Sequence, residues 1–392
     1  MKPPAGDILI TGAGPIGMTL ALALLQSTCQ WRISLIERRP ESACSSDARV
    51  LAMADASRQL LARINAWPAQ TTPINDIHTS QRGGFGRTLM RAAEYDLTAL
   101  GYVLRHKALV DTLKARIDNA LRRSHKPLSV SYGCSLAAVD GCSATIHMRD
   151  EKSGSEHEIN MRPQIIVHAD GTPADGERVV SHDYRQQAVI AEVRTSKAHA
   201  NRAWERFTPD GPLALLPLEE GYAVVFTLPA NKTQEVMQME DEAFLATLQA
   251  RFGGRHEFVS CGARQCFPLA LRMRRQLVHG REIWIGNSAQ TLHPVCGQGF
   301  NLGLRDAWQL AELILDVSNS SNLANVPQRY AATRRLDRWG GALFTDSIVR
   351  LFSNNCVSLS VLRGLGLLSL DLLPPTRHFA ARRMIWGARA WP

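Results

Sequence analysis

The sequence predicts an α/β fold: a Rossmann-like, dinucleotide-binding domain combined with an antiparallel-sheet substrate domain and a helical C-terminal region. Three observations predict it. An apolar strand, a glycine turn and an apolar helix follow one another in "DILITGAGPIGMTLALALLQ". A second strand–loop–helix unit, "EIWIGNSAQTLHPVCGQGFNLGLRDAWQLAELI", lies late in the chain. Between them, residues 182–229 hold the alternating runs "QQAVIAEV", "PLALLPL" and "YAVVFTLP", the pattern of an antiparallel sheet with one face packed.

In the opening unit, Asp7 to Thr11 reads as a buried strand and the helix starts near Pro15. Gly12, Gly14 and Gly17 form G-x-G-x-x-G. The first glycine permits the tight turn, the second lets backbone approach a pyrophosphate, and the third lets helix and strand pack closely. The pyrophosphate then sits at the helix N-terminus, where free N–H groups and the dipole favour negative charge. "RISLIE", from Arg32 to Glu37, follows as a second parallel strand ending in an acid. Glu37 is placed to accept hydrogen bonds from an adenosine ribose and to repel a 2′-phosphate, which favours FAD or NAD over NADP at this site. Arg38 and Arg39 beside it read as solvated surface charge.

The late unit repeats the physics with different residues. Ile283 to Ile285 reads as a buried strand, and Leu302, Leu304, Ala307, Leu310, Ala311 and Ile314 recur at helical spacing. The loop between them carries Pro294, Gly297 and Gly299. It lets backbone approach something flat, and the positive end of the following helix suits a flavin ring whose reduced form carries negative charge.

The 392 residues suffice for two or three packed units. The composition is that of an ordinary globular protein, 45% hydrophobic and 21% charged. A net charge of +9 is compatible with nucleic acid, an anionic membrane or an acidic cofactor. No basic run interleaves with aromatics as a single-strand channel would, so nucleic acid is disfavoured. No apolar run reaches the roughly 18 residues of a spanning helix, and the glycine-broken opening does not read as a secretory signal. Eight cysteines are scattered without a C-x-x-C pair, and H-E-x-x-H is absent. Reduced thiols in a cytoplasmic protein without a metal site are expected.

The late stretch Gly286 to Asp306 resembles the G-D-x-x-H-x-x-x-P-x-x-G-x-G-x-N motif of the FAD-dependent aromatic-ring hydroxylases. Within them it is most similar to the ubiquinone-biosynthesis hydroxylases, in particular the 2-polyprenyl-6-methoxyphenol hydroxylase branch, whose G-N-A-A-Q-T-L-H-P-x-x-G-Q-G-F-N-L-G-L-R-D it follows almost letter for letter. Asn287 stands where the wider family has an aspartate to the FAD ribityl chain, and Gln290 is typical of the branch. The resemblance spans nearly the whole chain. "SSDARVLAMADASRQLLARINAWP" brings Arg49, whose counterpart reaches the cofactor. "LGYVLRHKALVDTL" brings Arg105, His106 and Lys107, which open a helix beside the cofactor in relatives. "DYRQQAVIAEV" and "AWERFTPDGPLALLPL" match substrate-domain strands. The family's middle motif, A-D-G-x-x-S-x-x-R, is altered: Ala169, Asp170 and Gly171 are present, but Ala174 replaces the serine and Glu177 the arginine, with Arg178 adjacent. A nicotinamide-docking role and a plain strand-closing turn both fit that stretch.

The resemblance implies an FAD monooxygenase hydroxylating a polyprenylated methoxyphenol, with NADH or NADPH as transient reductant and O2 as co-substrate. Gly12, Gly14, Gly17 and Glu37 would hold the AMP half. Arg49, Gly286 and Asn287 would hold the pyrophosphate and ribityl portion, Arg105 and Asp170 would add further cofactor contacts, and Pro294, Gly297, Gly299 and Asn301 would frame the ring. His293 is the catalytic candidate, because an imidazole beside the ring could take a phenolic proton; a packing role in a tight loop is its alternative. Residues 1–75, 100–180 and 270–320 are expected to form the FAD domain, 76–99 and 181–269 the substrate domain, and 321–392 the helical region. The last of these is basic, with Arg377, Arg382, Arg383, Arg389, Trp386 and Trp391, which suits peripheral contact with the inner face of a membrane. A sister-position hydroxylase, and a non-catalytic flavin-binding subunit of a biosynthetic complex, are compatible with the same residues.

Overall fold

The computed structural model describes residues 7–26, 31–43, 49–122, 127–149, 155–173, 176, 178–317, 323–352 and 357–387. Its first layer is a six-stranded sheet. In spatial order the strands are Val278–His279, Glu282–Trp284, Ile165–His168, Ile8–Thr11, Ile33–Glu37 and Leu128–Tyr132. All pair in parallel except the first two. Ile8 stands opposite both Ile165 and Ile33, and the opening strand is buried along its length, as strands covered on both faces must be.

Alternation along that strand assigns its two faces. Ile8 and Ile10 enter a core shared with the helices Pro15–Leu24, His106–Leu121 and Gln298–Leu315. Leu9 points the other way, packing with Ile36 and Ile166 against Cys134, Ala144, Ile146 and Met161. Those last residues belong to a three-stranded antiparallel sheet, Cys134–Asp140, Ser143–Arg149 and Glu156–Met161. The stretch 100–180 therefore gives the parallel sheet only two strands, Leu128–Tyr132 and Ile165–His168. Its half-exposed alternation makes an antiparallel cover instead.

The second layer is a nine-stranded sheet. Its spine, Val179–Thr195, pairs antiparallel with Gly221–Pro229 on one side and Gln265–Arg274 on the other. Gly211–Leu218, Arg202–Thr208, Asp76–Gln81 and Arg87–Arg91 continue it outward. One pairing departs from the antiparallel expectation: Arg202–Thr208 runs parallel to Asp76–Gln81, with Glu205 opposite Thr79. The helices Ala230–Gln238 and Asp241–Phe252 back this sheet through a core of Val224, Phe226, Phe244 and Leu248. Gln290–Thr291 pairs with Arg272 and Met273, so the late loop is stitched into the large sheet seven residues or fewer after leaving the parallel one.

The chain ends in the helices Val326–Phe352, Val357–Leu372 and Pro374–Trp386. Of the basic, tryptophan-bearing face expected to meet a membrane, Arg377 and Trp386 are engaged by protein, while Arg382 is exposed. Arg377 pairs with Glu94 at 3.1 Å, and Trp386 packs against the cluster of Met90, Ala92 and Leu100. Arg389 and Trp391 lie outside the described residues. The region also exposes a run of leucines, Leu362, Leu365, Leu368, Leu372 and Leu373, the last two at 66% and 52%. Among the described residues no helix is long and apolar enough to cross a membrane.

Candidate functional site

Two turns from opposite ends of the chain border one cleft. At the first, Gly12 has φ +95°, and a Cβ there would stand 2.6 Å from the Ala169 carbonyl oxygen. Glycine thus lets the opening turn touch the Ala169–Asp170 corner. A Cβ on Gly17 would lie 2.0 Å from the Gly12 carbonyl oxygen, so its absence lets the helix close on the strand. In front of Gly14 there is open space. Glu37, buried at the end of the second strand, accepts the Ala13 N–H at 2.9 Å, the Arg39 N–H at 3.1 Å and the Arg39 Nε at 3.0 Å. Of the roughly four acceptor sites of a carboxylate, that leaves one for a ligand in the cleft Glu37 lines.

The second turn is held from beneath by a buried carboxylate. Asp306 Oδ2 accepts the Gly286 N–H at 3.0 Å and Gln290 Nε2 at 2.7 Å, while Oδ1 accepts Arg334 Nε at 2.7 Å. Arg334 is wholly buried and donates also to Asp337 at 2.7 Å. Arg338 reaches Gln290 Oε1 at 3.0 Å and the Ala289 carbonyl at 3.2 Å. Burial pushes the Arg338 guanidinium down to about 10. Burial opposes the charge on Arg334 too, but Asp306 and Asp337 outweigh it and raise its pKa. No sequence pattern marks Asp306, Arg334 and Arg338 as site residues. The only local signal was an acid closing "GLRD"; its partners lie about a helix away and leave no spacing signature.

The cleft brings together Gly12, Gly14, Glu37, Arg49, Asp170, Gly286, Asn287, Pro294, Gly297 and Gly299. Arg49 stands 5.8 Å from the Phe267 ring, and Asp170 accepts from Ser288 Oγ at 3.2 Å. Gly17 supports the turn from behind. Three further expected residues do not line the cleft. Arg105 is turned to Glu192 and Glu219, at 3.0 and 3.1 Å, because those carboxylates flank it on the large-sheet side; His106 lines the cleft instead. Asn301 is buried and spends its amide on protein. It accepts from Ala54 N–H and Ser57 Oγ and donates to the Ala52 and Gly297 carbonyls, at 2.7–3.1 Å. It ties the late loop to the strand Val50–Ala54 rather than framing a ring.

His293 is the third. It is fully buried, its Nδ1 accepts the Val295 N–H at 3.2 Å, and its ring meets Tyr184 edge-on at 5.2 Å. Burial pushes its pKa down to about 4, which makes it a weak base, and it is not among the residues that line the cleft. The packing role describes it. In the altered middle motif, Ala174 and Glu177 lie outside the described residues.

The cleft measures about 1570 Å³, beyond the ~300–1,000 Å³ of a single-ligand site, so it has room for a dinucleotide and a second molecule. The helices Pro15–Leu24 and Gln298–Leu315 both begin at its edge. Neither has a side-chain cap or an acidic residue in its first turn, leaving N–H groups for anionic ligand atoms. Beyond the turns the large sheet forms an apolar floor, in which Glu205 is the one acidic residue among those lining the cleft from that sheet. Burial pushes it up to about 7.

The FAD binding domain family profile matches residues 6–340. Ubiquinone hydroxylase UbiL of Rhodospirillum rubrum is 29% identical, covering 98% of this chain and 91% of its own. The 3-demethoxyubiquinol 3-hydroxylase of Escherichia coli is 28% identical, covering 93% and 94%. Among solved structures, p-nitrophenol 4-monooxygenase PnpA of Pseudomonas putida superposes with a TM-score of 0.74 at 14% identity, covering 99% of this chain and all of that one.

Two outcomes are expected from this geometry. Asp306→Ala leaves Arg334 with Asp337 as its remaining acid and frees the Gly286 N–H and the Gln290 amide, and breaking such a buried pair costs up to about 3–5 kcal/mol. Denaturant unfolding should show that loss together with reduced flavin retention; wild-type values for both would remove Asp306 from its role. His293, ordinarily near 6.5, is held near 4 when folded. The unfolded chain therefore binds a proton that the folded chain refuses across that window. Stability is full above 6.5 and falls as the pH drops toward about 4. His78, pushed to about 4 by burial and then by Arg255, acts in the same sense. His293→Leu should shrink the loss of melting temperature between about pH 7 and pH 5; an unchanged acid limb would contradict this.

Proposed function

The chain belongs to the FAD binding domain family, and from that membership we propose a monooxygenase that hydroxylates a polyprenylated methoxyphenol in ubiquinone biosynthesis. It is a flavoprotein monooxygenase; the substrate and the ring position are the proposed part. The observation that carries the reading is the single cleft, polar at two glycine turns and apolar beyond them. The names of the relatives, one a ubiquinone hydroxylase and another a 3-demethoxyubiquinol 3-hydroxylase, support the pathway.

The residues present fit FAD. Glu37 keeps an acceptor for the adenosine ribose, Gly14 leaves space at an uncapped helix N-terminus for the pyrophosphate, and Gly297 and Gly299 bring a second uncapped N-terminus to the isoalloxazine. FAD, reduced by NADH or NADPH, supplies the oxygen activation. The chain's own part is to bind, orient and keep water out. Phe207, Phe267, Leu269 and Phe352 wall the space beyond the turns, suiting an aromatic ring with an apolar tail, and a dry pocket suppresses side reactions.

The sister ring position is the alternative, given the name of the E. coli relative. Deleting the gene and weighing the accumulated quinone precursors decides between them. A polyprenyl methoxyphenol supports the reading, and a later, demethoxy intermediate moves the enzyme to the sister step. Anaerobic mixing with NADH or NADPH should bleach the flavin; a protein that stays yellow with both would be a binding subunit instead.

A peripheral membrane contact is part of the same proposal. Its support has shifted from the basic tail to the exposed leucines of Val357–Leu372, a helix that also lines the cleft with Leu362, Leu367 and Leu370. A prenylated substrate could pass from lipid along it. Flotation with anionic vesicles should retain the wild type and release Leu365→Asp/Leu372→Asp; equal binding by both would discard this surface.

A further inference from the structure

Glu205 lies on the cleft floor that the large sheet forms. The strand Arg202–Thr208 alternates, so Ala203, Glu205 and Phe207 face the cleft. Cross-strand pairing sets Glu205 in a continuous row of lining residues: Thr79, Glu205, Ala214, Val225, Ile190 and Gln265. Its neighbours are small or apolar. The same cleft is lined by Pro294, Gly297 and Phe300 of the late turn and its helix. Among the described residues the Glu205 carboxyl makes no hydrogen bond or ion pair.

That last fact sets Glu205 apart from the other acids of the cleft. The other two acids lining the cleft, Glu37 and Asp170, are both engaged by protein donors. A carboxyl enclosed by apolar groups with no donor of its own costs several kcal/mol unless it is neutral or a ligand completes it. Any apolar residue at this position would pack without that cost. The carboxyl instead faces the room left beside the cofactor turns, where a second molecule has to lie.

Resting on the proposed function above, we propose that Glu205 receives the ring hydroxyl of the substrate, accepting first its hydrogen bond and then its proton. The step is a proton transfer alone. The phenolic O–H bond breaks, an O–H bond forms on the Glu205 carboxylate, and the electron pair stays on the phenolic oxygen. From there it feeds the ring and raises the nucleophilicity of the carbons ortho and para to it. Every ring-hydroxylated precursor offers this group, so the role holds whichever carbon is attacked. A hydrogen bond to the one carboxyl of a largely apolar floor also fixes the ring's orientation, which an apolar pocket by itself does weakly. His293, by contrast, lies buried outside this space.

Burial alone raises Glu205 to about 7, where a base is half ionised under working conditions and best matched to its task. The charged groups on the other walls are Arg38, Arg39 and Arg49 with Glu37 and Asp170 on the cofactor side, and Arg363 on the helix Val357–Leu372. His106 also borders the cleft, and Tyr184, whose hydroxyl donates to Asp346, packs beside Phe207. The carboxylate is the active form, so activity should rise through about pH 7.

The test uses the FAD-loaded full chain and a short-chain prenylated methoxyphenol. Glu205→Gln should keep its flavin and lose ~10²-fold or more in hydroxylation kcat, with KM changed much less. The acid limb near neutrality should vanish, and Glu205→Asp should restore part of both. Titrating the phenol into oxidised enzyme should give the phenolate absorption band with the wild type and none with Glu205→Gln. Wild-type turnover with unaltered kcat, acid limb and phenolate band in Glu205→Gln would overturn the role of Glu205 and leave the proposed function standing. Absence of both phenolate band and turnover in the wild type would overturn the proposed function, and this role with it.

Discussion

The buried carboxylate of Asp306 is the constraint on which the rest of the site depends. It accepts the Gly286 N–H, the Gln290 side chain and the Arg334 guanidinium at once, fixing where the late loop leaves the parallel sheet. A buried ion pair is weak evidence for stability by itself, and its best-attested use is to specify one arrangement over others. That use fits here. The loop above it carries Asn287, Pro294, Gly297 and Gly299 to the cleft, and a loop free to slide would lose the alignment of all four.

The opening turn depends on sterics rather than charge. Its glycines remove Cβ atoms that would collide with the Ala169 carbonyl and with the helix's own strand. The two devices are complementary. One turn is defined by what is missing from the chain, the other by a network that over-determines a backbone position. Between them they leave two helix ends uncapped, and uncapped helix ends persist in folded proteins when a ligand or water completes them.

Much of this architecture was legible in the residues, and the gaps have physical causes. The glycine turn and the acid ending "RISLIE" announce themselves because their chemistry is local: spacing along the chain equals spacing in space. The alternation in 182–229 read correctly as antiparallel sheet for the same reason. The parallel seam between Arg202–Thr208 and Asp76–Gln81 was not legible, since pairing of distant segments leaves no local period. His293 and Asn301 illustrate a second limit. Motif position placed both near the ring, but whether a side chain faces a cleft or the packing behind it depends on neighbours from other elements. Glu205 was invisible from the opposite direction. An acid in an alternating strand reads as solvent-facing until the sheet is known to be roofed by a second layer.

The stitching of Gln290–Thr291 to Arg272 and Met273 has a mechanical corollary. A few residues after leaving one sheet, the same loop becomes an edge of the other, so the two layers share a hinge pin made of the very backbone that borders the cofactor cleft. Occupancy of that cleft is linked by mass action to the integrity of both layers. Holding the prosthetic group and holding the two layers in register thus draw on the same stretch of backbone.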